Sequence, residues 1–295
     1  MAGDAVRYSI GWYGWGAVVV LGVIASVVAL ALTRPWQTIL RMPIPLALLL
    51  ALMLISSLWS QYRQSTLMGF GMQLGATLFA LFLANQFGWR QLLNVFANTI
   101  RFILATSLLF ELWAAIFGPI KPLFPNYEGD EPPSGSYLWS QGHLFDGERI
   151  QGIVGNANLL AFTAVLGMLV FLVEFIVTHR NRTLPLTSLA LAALMAALAK
   201  SAGMTLAIFL VGFAVVVAIL AEGRERSTRH TIYRYGIWSL IAIGILALIY
   251  RVELFDMLGR SADASGRFYI WGEVLNLIWE KPIEGWGWIG YWVPG

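Results

Sequence analysis

Residues 202–221 read AGMTLAIFLVGFAVVVAILA, twenty consecutive positions without a charged side chain. An α-helix rises about 1.5 Å per residue, so about twenty residues cross the ~30 Å hydrocarbon core of a bilayer. Lipid offers no partner to a free backbone N–H or C=O, so such a stretch must be helical. Seven further apolar stretches lie to either side, at 12–32, 44–59, 67–87, 102–117, 153–178, 184–199 and 235–250. They predict an all-α, polytopic transmembrane helix bundle of about eight spans, forming a single membrane domain over 1–295. Composition agrees: 58% of residues are hydrophobic, 12% are charged and mean hydropathy is +0.71. Soluble domains carry about 25% charged residues. An apolar surplus this large needs lipid as its second solvent.

Two segments are too polar to span. The first, 118–151, is rich in Pro, Gly and acidic residues, and its stretch around Asp130, Glu131, Pro132 and Pro133 is expected to be mobile. The second, 251–295, holds a short amphipathic helix with Ile270, Trp271, Val274, Leu275 and Ile278 on one face. Ser265 is its possible N-cap, and Pro282 stops it. Orientation follows from Arg in the short loops. Arg34, Arg41, Arg90, Arg101, Arg180, Arg182, Arg224, Arg226, Arg229 and Arg234 fall in one set of loops, which predicts that those loops are cytoplasmic. Glu128, Asp130, Glu131, Asp146, Glu148, Glu253, Asp256, Asp263, Glu273, Glu280 and Glu284 fall in the other set, predicted to lie outside together with the N-terminus. Trp12, Trp15, Trp36, Trp59, Trp89 and Trp238 stand at predicted span ends, where amphipathic rings prefer to sit. The net charge of +3 therefore reflects orientation and not a nucleic-acid partner. The chain has no cysteine, which excludes disulfides and thiol chemistry. The first apolar stretch lacks the small-residue cleavage site of a signal peptide and reads as a span.

No Walker loop, metal-spaced His/Cys/Glu cluster or Gly-x-Ser-x-Gly elbow occurs, and His143, His179 and His230 are scattered. ATP hydrolysis and zinc catalysis lose most of their support, and no cofactor is predicted. Three polar patches remain. Arg149-Ile-Gln-Gly-Ile-Val-Gly-Asn156-Ala-Asn158 heads the fifth span. It reads as a polar mouth for a glycan or phosphate, or more plainly as helix capping and interhelical bonding by Asn156 and Asn158. Lys200-Ser201 lies in the tight turn between two spans. Lys200 either snorkels to the headgroups or faces inward to a phosphate. The third patch is Ser265-Gly-Arg267-Phe-Tyr-Ile-Trp271 followed by Lys281-Pro-Ile-Glu-Gly-Trp-Gly287. A cation in a helix's first turn opposes the macrodipole, so Arg267 is not placed for helix stability. Its planar fork suits a phosphate, and the plainer reading is a surface salt bridge to Glu273 or Asp263.

In this order the patches resemble the O-antigen ligase and O-antigen polymerase superfamily of bacterial surface-glycan assembly. The residues that carry the resemblance are Gly152-x-x-x-Asn156-x-Asn158, Leu58-Trp59-Ser60, Lys200-Ser201, and Arg267-x-x-x-Trp271 followed by Pro282-x-x-Gly285-x-Gly287. The family usually has Pro between the two asparagines, where this chain has Ala157, and its turn usually places the basic residue after Ser. The resemblance implies a metal-independent glycosyltransferase of the inner membrane with its working loops outside the cell. It would move a glycan from an undecaprenyl pyrophosphate carrier to a glycan or lipid acceptor hydroxyl in cell-envelope polysaccharide biosynthesis. Arg267 would be catalytic, and Lys200, Ser201, Arg149, Asn156, Asn158 and Trp271 would bind substrate. It also predicts a functional histidine and further spans after Gly295, which would make this chain a truncated form. Two alternatives use other features: a small-anion transporter of the same superfamily, with Glu111 and Glu174 as intramembrane ion sites, and an inactive assembly subunit.

Overall fold

A computed structural model describes residues 3–33, 42–125, 134–177, 182–250 and 267–288. Among these residues there are nine α-helices and no β-strand. In chain order they are α1 (Gly3–Leu32), α2 (Ile44–Ser56), α3 (Arg63–Gln86), α4 (Trp89–Phe117), α5 (Ala157–Val177), α6 (Thr183–Ala199), α7 (Ala202–Ala221), α8 (Arg226–Ile249) and α9 (Arg267–Glu280). Six of them, α1, α3, α4, α5, α7 and α8, are long and apolar enough to cross a membrane, while α2 and α6 are shorter apolar helices. The chain is a multi-pass membrane protein with an all-helical fold, and the lipid bilayer is its environment.

Where helices depart from the hydropathy reading, the reason is local. The fourth helix starts at Trp89, well before the predicted 102, so Arg101 is inside a helix and not in a loop. Arginine is a good helix former, and only its charge argued for a loop. That charge is matched within the helices. Its Nη2 pairs with Glu174, its Nε donates to Ser188 Oγ at 2.8 Å, its Nη1 donates to Asn98 Oδ1 at 2.8 Å, and its guanidinium lies over the Phe171 ring. The fifth helix starts at Ala157 and not at 153, because Gly152 (φ 62°) and Gly155 (φ 65°) turn left-handed just before it. The eighth starts at Arg226, since its arginines extend the helix beyond the apolar stretch. α9 matches the predicted amphipathic helix and ends at Glu280, ahead of Pro282. Several expectations fall outside the described residues: Trp36, His179, the Ser265 cap, the loop around Asp130–Pro133, and the loop charges Arg34, Arg41, Glu128, Arg180, Glu253, Asp256 and Asp263.

The chain divides into two compact units, Met1–Ser9 with Phe96–Arg267, and Ile10–Val95 with Phe268–Gly295. In the first unit α4, α5 and α6 pack around a core that includes Ile100, Leu104, Leu160, Phe171 and Met195. Lipid tails are as apolar as leucine, so helices in a bilayer gain by close packing more than by burial. Small residues permit it here: Ala161, Ala164 and Ala192 are fully buried, and a Cβ at Gly167 would lie 2.9 Å from Ile100 Cγ2. By contrast α7 buries only Ala221 and α8 only Gly236. Their remaining apolar side chains are the surface that lipid covers.

Candidate functional site

The polar site of the first unit is built on a carboxylate. Glu111, on α4, is fully buried. Its Oε1 accepts the backbone N–H of Gln151 (3.0 Å) and of Gly152 (2.6 Å), and its Oε2 accepts the Ser140 hydroxyl at 2.9 Å. One turn earlier on the same helix face, Ser107 Oγ accepts the Ile153 N–H at 3.2 Å. Trp139 Nε1 donates to the Ile153 carbonyl, and Ile150 N–H donates to the Leu198 carbonyl at the end of α6. Residues 150–153 are thus held by hydrogen bonds over α4. Gly152 is required there: its φ is 62°, and a Cβ would meet Ser107 Oγ at 2.7 Å.

This platform delivers the residues that follow. Asn156 caps α5, its Oδ1 accepting the N–H groups of Asn158 (2.8 Å) and Leu159 (3.3 Å), which satisfies two of the helix's orphan donors. Asn158 Oδ1 accepts Arg149 Nη2 at 2.7 Å and the Ser201 hydroxyl at 3.0 Å. Arg149 Nε also donates to the Ala199 carbonyl at 3.1 Å. Lys200 ends α6 in the left-handed conformation (φ 44°, ψ 49°), and its Nζ donates to the Gly147 carbonyl. So hydrogen bonds tie two stretches together, 147–158 with Arg149, Asn156 and Asn158, and the turn of Lys200 and Ser201. Lys200 is tied to a loop carbonyl in addition to any snorkelling, and Asn156 is a helix cap, as its plainer reading had it.

Beside them opens a cavity of about 320 Å³ lined by Gln141, His143, Glu148, Arg149, Asn156 and Asn158 with their neighbours. Position along the chain gave no reason to put His143 here. It arrives because residues 134–142 return over α4, pinned by the Ile120–Ser140 bridge and by the Glu111–Ser140 bond. His143 Nδ1 lies 3.2 Å from Asp146 Oδ2, and Nε2 lies 3.1 Å from Gln141 Oε1. Among the described residues no group of three or more His, Cys, Asp or Glu side chains is placed to hold a metal.

The second unit brings together two other motifs. Trp59 Nε1 donates to the Glu284 carbonyl at 2.7 Å, and Ser60 Oγ donates to the Trp286 carbonyl at 3.0 Å. Trp288 N–H donates to Ser56 Oγ at 3.2 Å. Leu58-Trp59-Ser60 is therefore the seat of the Gly285-Trp-Gly287 turn, although more than 200 residues separate them. Gly287 has φ 94°, and a Cβ there would lie 2.5 Å from both Ser60 Cβ and Oγ. Gly287→Ala is expected to lose about 2 kcal/mol or more, from backbone strain plus that clash. Gly71→Ala, inside α3 with open space around it, should lose nothing. Thermal unfolding in detergent micelles compares the two. Trp271 is exposed on α9, and Arg267 is the first residue of that helix.

The chain matches no family model, no curated protein and no solved structure.

Proposed function

We propose that this protein transfers a glycan from an undecaprenyl pyrophosphate carrier to an acceptor hydroxyl on the outer side of the bacterial inner membrane. The observation that carries this reading is a polar cavity lined by Arg149, Asn156, Asn158 and His143, with the Ser201 hydroxyl bonded to Asn158. The acceptor oxygen attacks the sugar's anomeric carbon, the bond to the pyrophosphate oxygen breaks, and the carrier leaves as its pyrophosphate. Cations stabilise the charge that develops on the leaving group. Arg149 supplies one at the cavity, and Lys200 and Arg267 supply others as the family resemblance implies. The hydroxyl proton needs a base. His143, which lines the cavity, takes that role in this reading.

Ion transport has less to stand on. Glu111 spends its oxygens on two backbone N–H groups and a serine, and Glu174 is paired with Arg101. Both acids are structural partners in the first unit.

The deciding measurement uses purified protein in liposomes with a lipid-linked glycan donor. Consumption of the donor with release of the carrier pyrophosphate is expected, and counterflow of a small anion is not. Arg149→Gln should slow transfer about tenfold or more, as loss of a charge-assisted hydrogen bond costs about 1.5–3 kcal/mol. Anion counterflow without donor consumption would replace this reading by the transport one.

The sidedness has its own check, because the chain contains no cysteine to confuse it. Single cysteines at Ser136 and Ser265 should react with a membrane-impermeant thiol reagent in intact cells, and one at Ser227 should not. Labelling at Ser227 would reverse the orientation.

A further inference from the structure

The end of the span pair α7–α8 carries a feature that the glycan-transfer reading does not use. The two helices join through a turn at Gly223 (φ 68°). Further along they approach closely, and a Cβ at Gly236 would lie 3.2 Å from both Val217 methyl carbons. From the turn back to Val215 they leave a slot of about 420 Å³. Its α7 wall is Val215, Ala218 and Ile219, with Glu222 at the end, and its α8 wall is Arg229 and Tyr233. Arg229 and Tyr233 are four apart, and Val215 and Ile219 are four apart, so each pair stands on one helix face. The slot is apolar along its length, and its charged lining residues are Glu222 and Arg229.

The charge there is unbalanced. Between positions 222 and 234 the chain carries Arg224, Arg226, Arg229 and Arg234 against Glu222 and Glu225. Among the described residues, no ion pair or side-chain hydrogen bond engages Arg226 or Arg229. Arg229 stands one turn inside the start of a membrane-spanning helix, which is headgroup depth. Trp238 and Tyr235 follow it, aromatic rings suited to the interface.

We propose that this slot is a binding site for one anionic phospholipid. The phosphate and its net negative headgroup sit against Arg229, with Arg224 and Arg226 adding field, and an acyl chain lies along Val215 and Ile219. Basic pockets between spanning helices recognise anionic headgroups in this way. A free phosphate would leave the apolar wall uncovered, and a second copy of the chain would set arginines against arginines.

The site can be read with a single reporter. Ala214, one turn from Ala218 and exposed on α7, is replaced by cysteine and labelled with bimane in the otherwise cysteine-free full chain. The protein is reconstituted in phosphatidylcholine vesicles, and quenching is measured as brominated phosphatidylglycerol or brominated phosphatidylcholine is added. The expected result is about a fivefold preference for phosphatidylglycerol, the worth of one basic residue near an anionic surface. Arg229→Gln should bring the preference to about one. Arg229→Lys should keep at least half of it, because an ammonium also binds a phosphate. Arg90→Gln, a basic residue elsewhere, should leave it unchanged. If Arg229→Gln fails to insert, salt at about 1 M does the same work on the unaltered chain, by screening. Equal quenching by both lipids, quenching by neither, or a preference untouched by Arg229→Gln or by salt overturns the proposal.

Discussion

Glu111→Ala is expected to be the most destabilising single substitution in the first unit, costing at least about 3 kcal/mol. The change strips partners from the N–H groups of Gln151 and Gly152 and from the Ser140 hydroxyl, in a site closed to solvent. Each orphaned buried donor costs about 1–3 kcal/mol. Residues 150–153 then lose the anchor that aims Arg149 on one side and Asn156 on the other. Trypsin cleavage after Arg149 should become faster than in the parent protein, and the thermal midpoint in micelles should fall. Glu111→Gln separates this role from an ionic one. Glutamine keeps an oxygen for the two N–H groups and offers its amide to Ser140, so it should retain most of the stability. An ion site at Glu111 would give the opposite pattern, with a sound fold and lost activity in the Gln variant. An alanine variant as stable and protease-resistant as the parent would remove Glu111 from the foundation of the site.

That carboxylate shows where reading the sequence succeeds and where it stops. A Glu within an apolar stretch is costly, so the residues alone say that Glu111 has a partner. They do not say that the partners are main-chain N–H groups forty positions on, because a backbone donor leaves no mark in the sequence. Gly152 and Gly155 give no hint of it either, since the apolar stretch reads as starting at 153. Lengths and apolar runs were more legible: α7 occupies the predicted 202–221, since its ends coincide with a sharp change in polarity. Arg101 misled the start of α4 because hydropathy counts a charge without seeing Glu174 and Ser188 beside it. At the candidate site, Arg149, Asn156, Asn158 and Lys200-Ser201 stood out by being polar at span ends. His143 did not, because its place depends on the Ile120–Ser140 bridge that folds its loop back. Leu58-Trp59-Ser60 and Gly285-Trp-Gly287 were visible as motifs, but their docking is a tertiary fact.

Arg267→Lys is the substitution expected to cut glycan transfer most, by about 10²–10³ in rate, the usual loss when a donor aimed at a developing charge is removed. Arg267 is the first residue of α9, where the helix dipole gives a cation no stabilising role. The face behind it, Ile270, Trp271, Val274, Leu275 and Ile278, is exposed, so it needs an apolar medium to cover it. With that face in the membrane interface, the start of α9 in the proposed enzyme lies at the depth of a carrier lipid's pyrophosphate. A guanidinium grips two phosphate oxygens at once through a rigid planar fork, whereas an ammonium offers a point charge on a flexible stem. Lysine therefore keeps the charge and loses the geometry. A structural arginine in an exposed salt bridge would tolerate the same change with less than about 1 kcal/mol lost. The comparison is conversion of lipid-linked glycan to product by membranes carrying the full gene product, normalised to the amount of inserted protein. Expression and insertion should match the parent while turnover collapses. Near-normal turnover by the lysine variant would return Arg267 to a structural role and leave Arg149 and Lys200 as the cations on which glycan transfer has to rest.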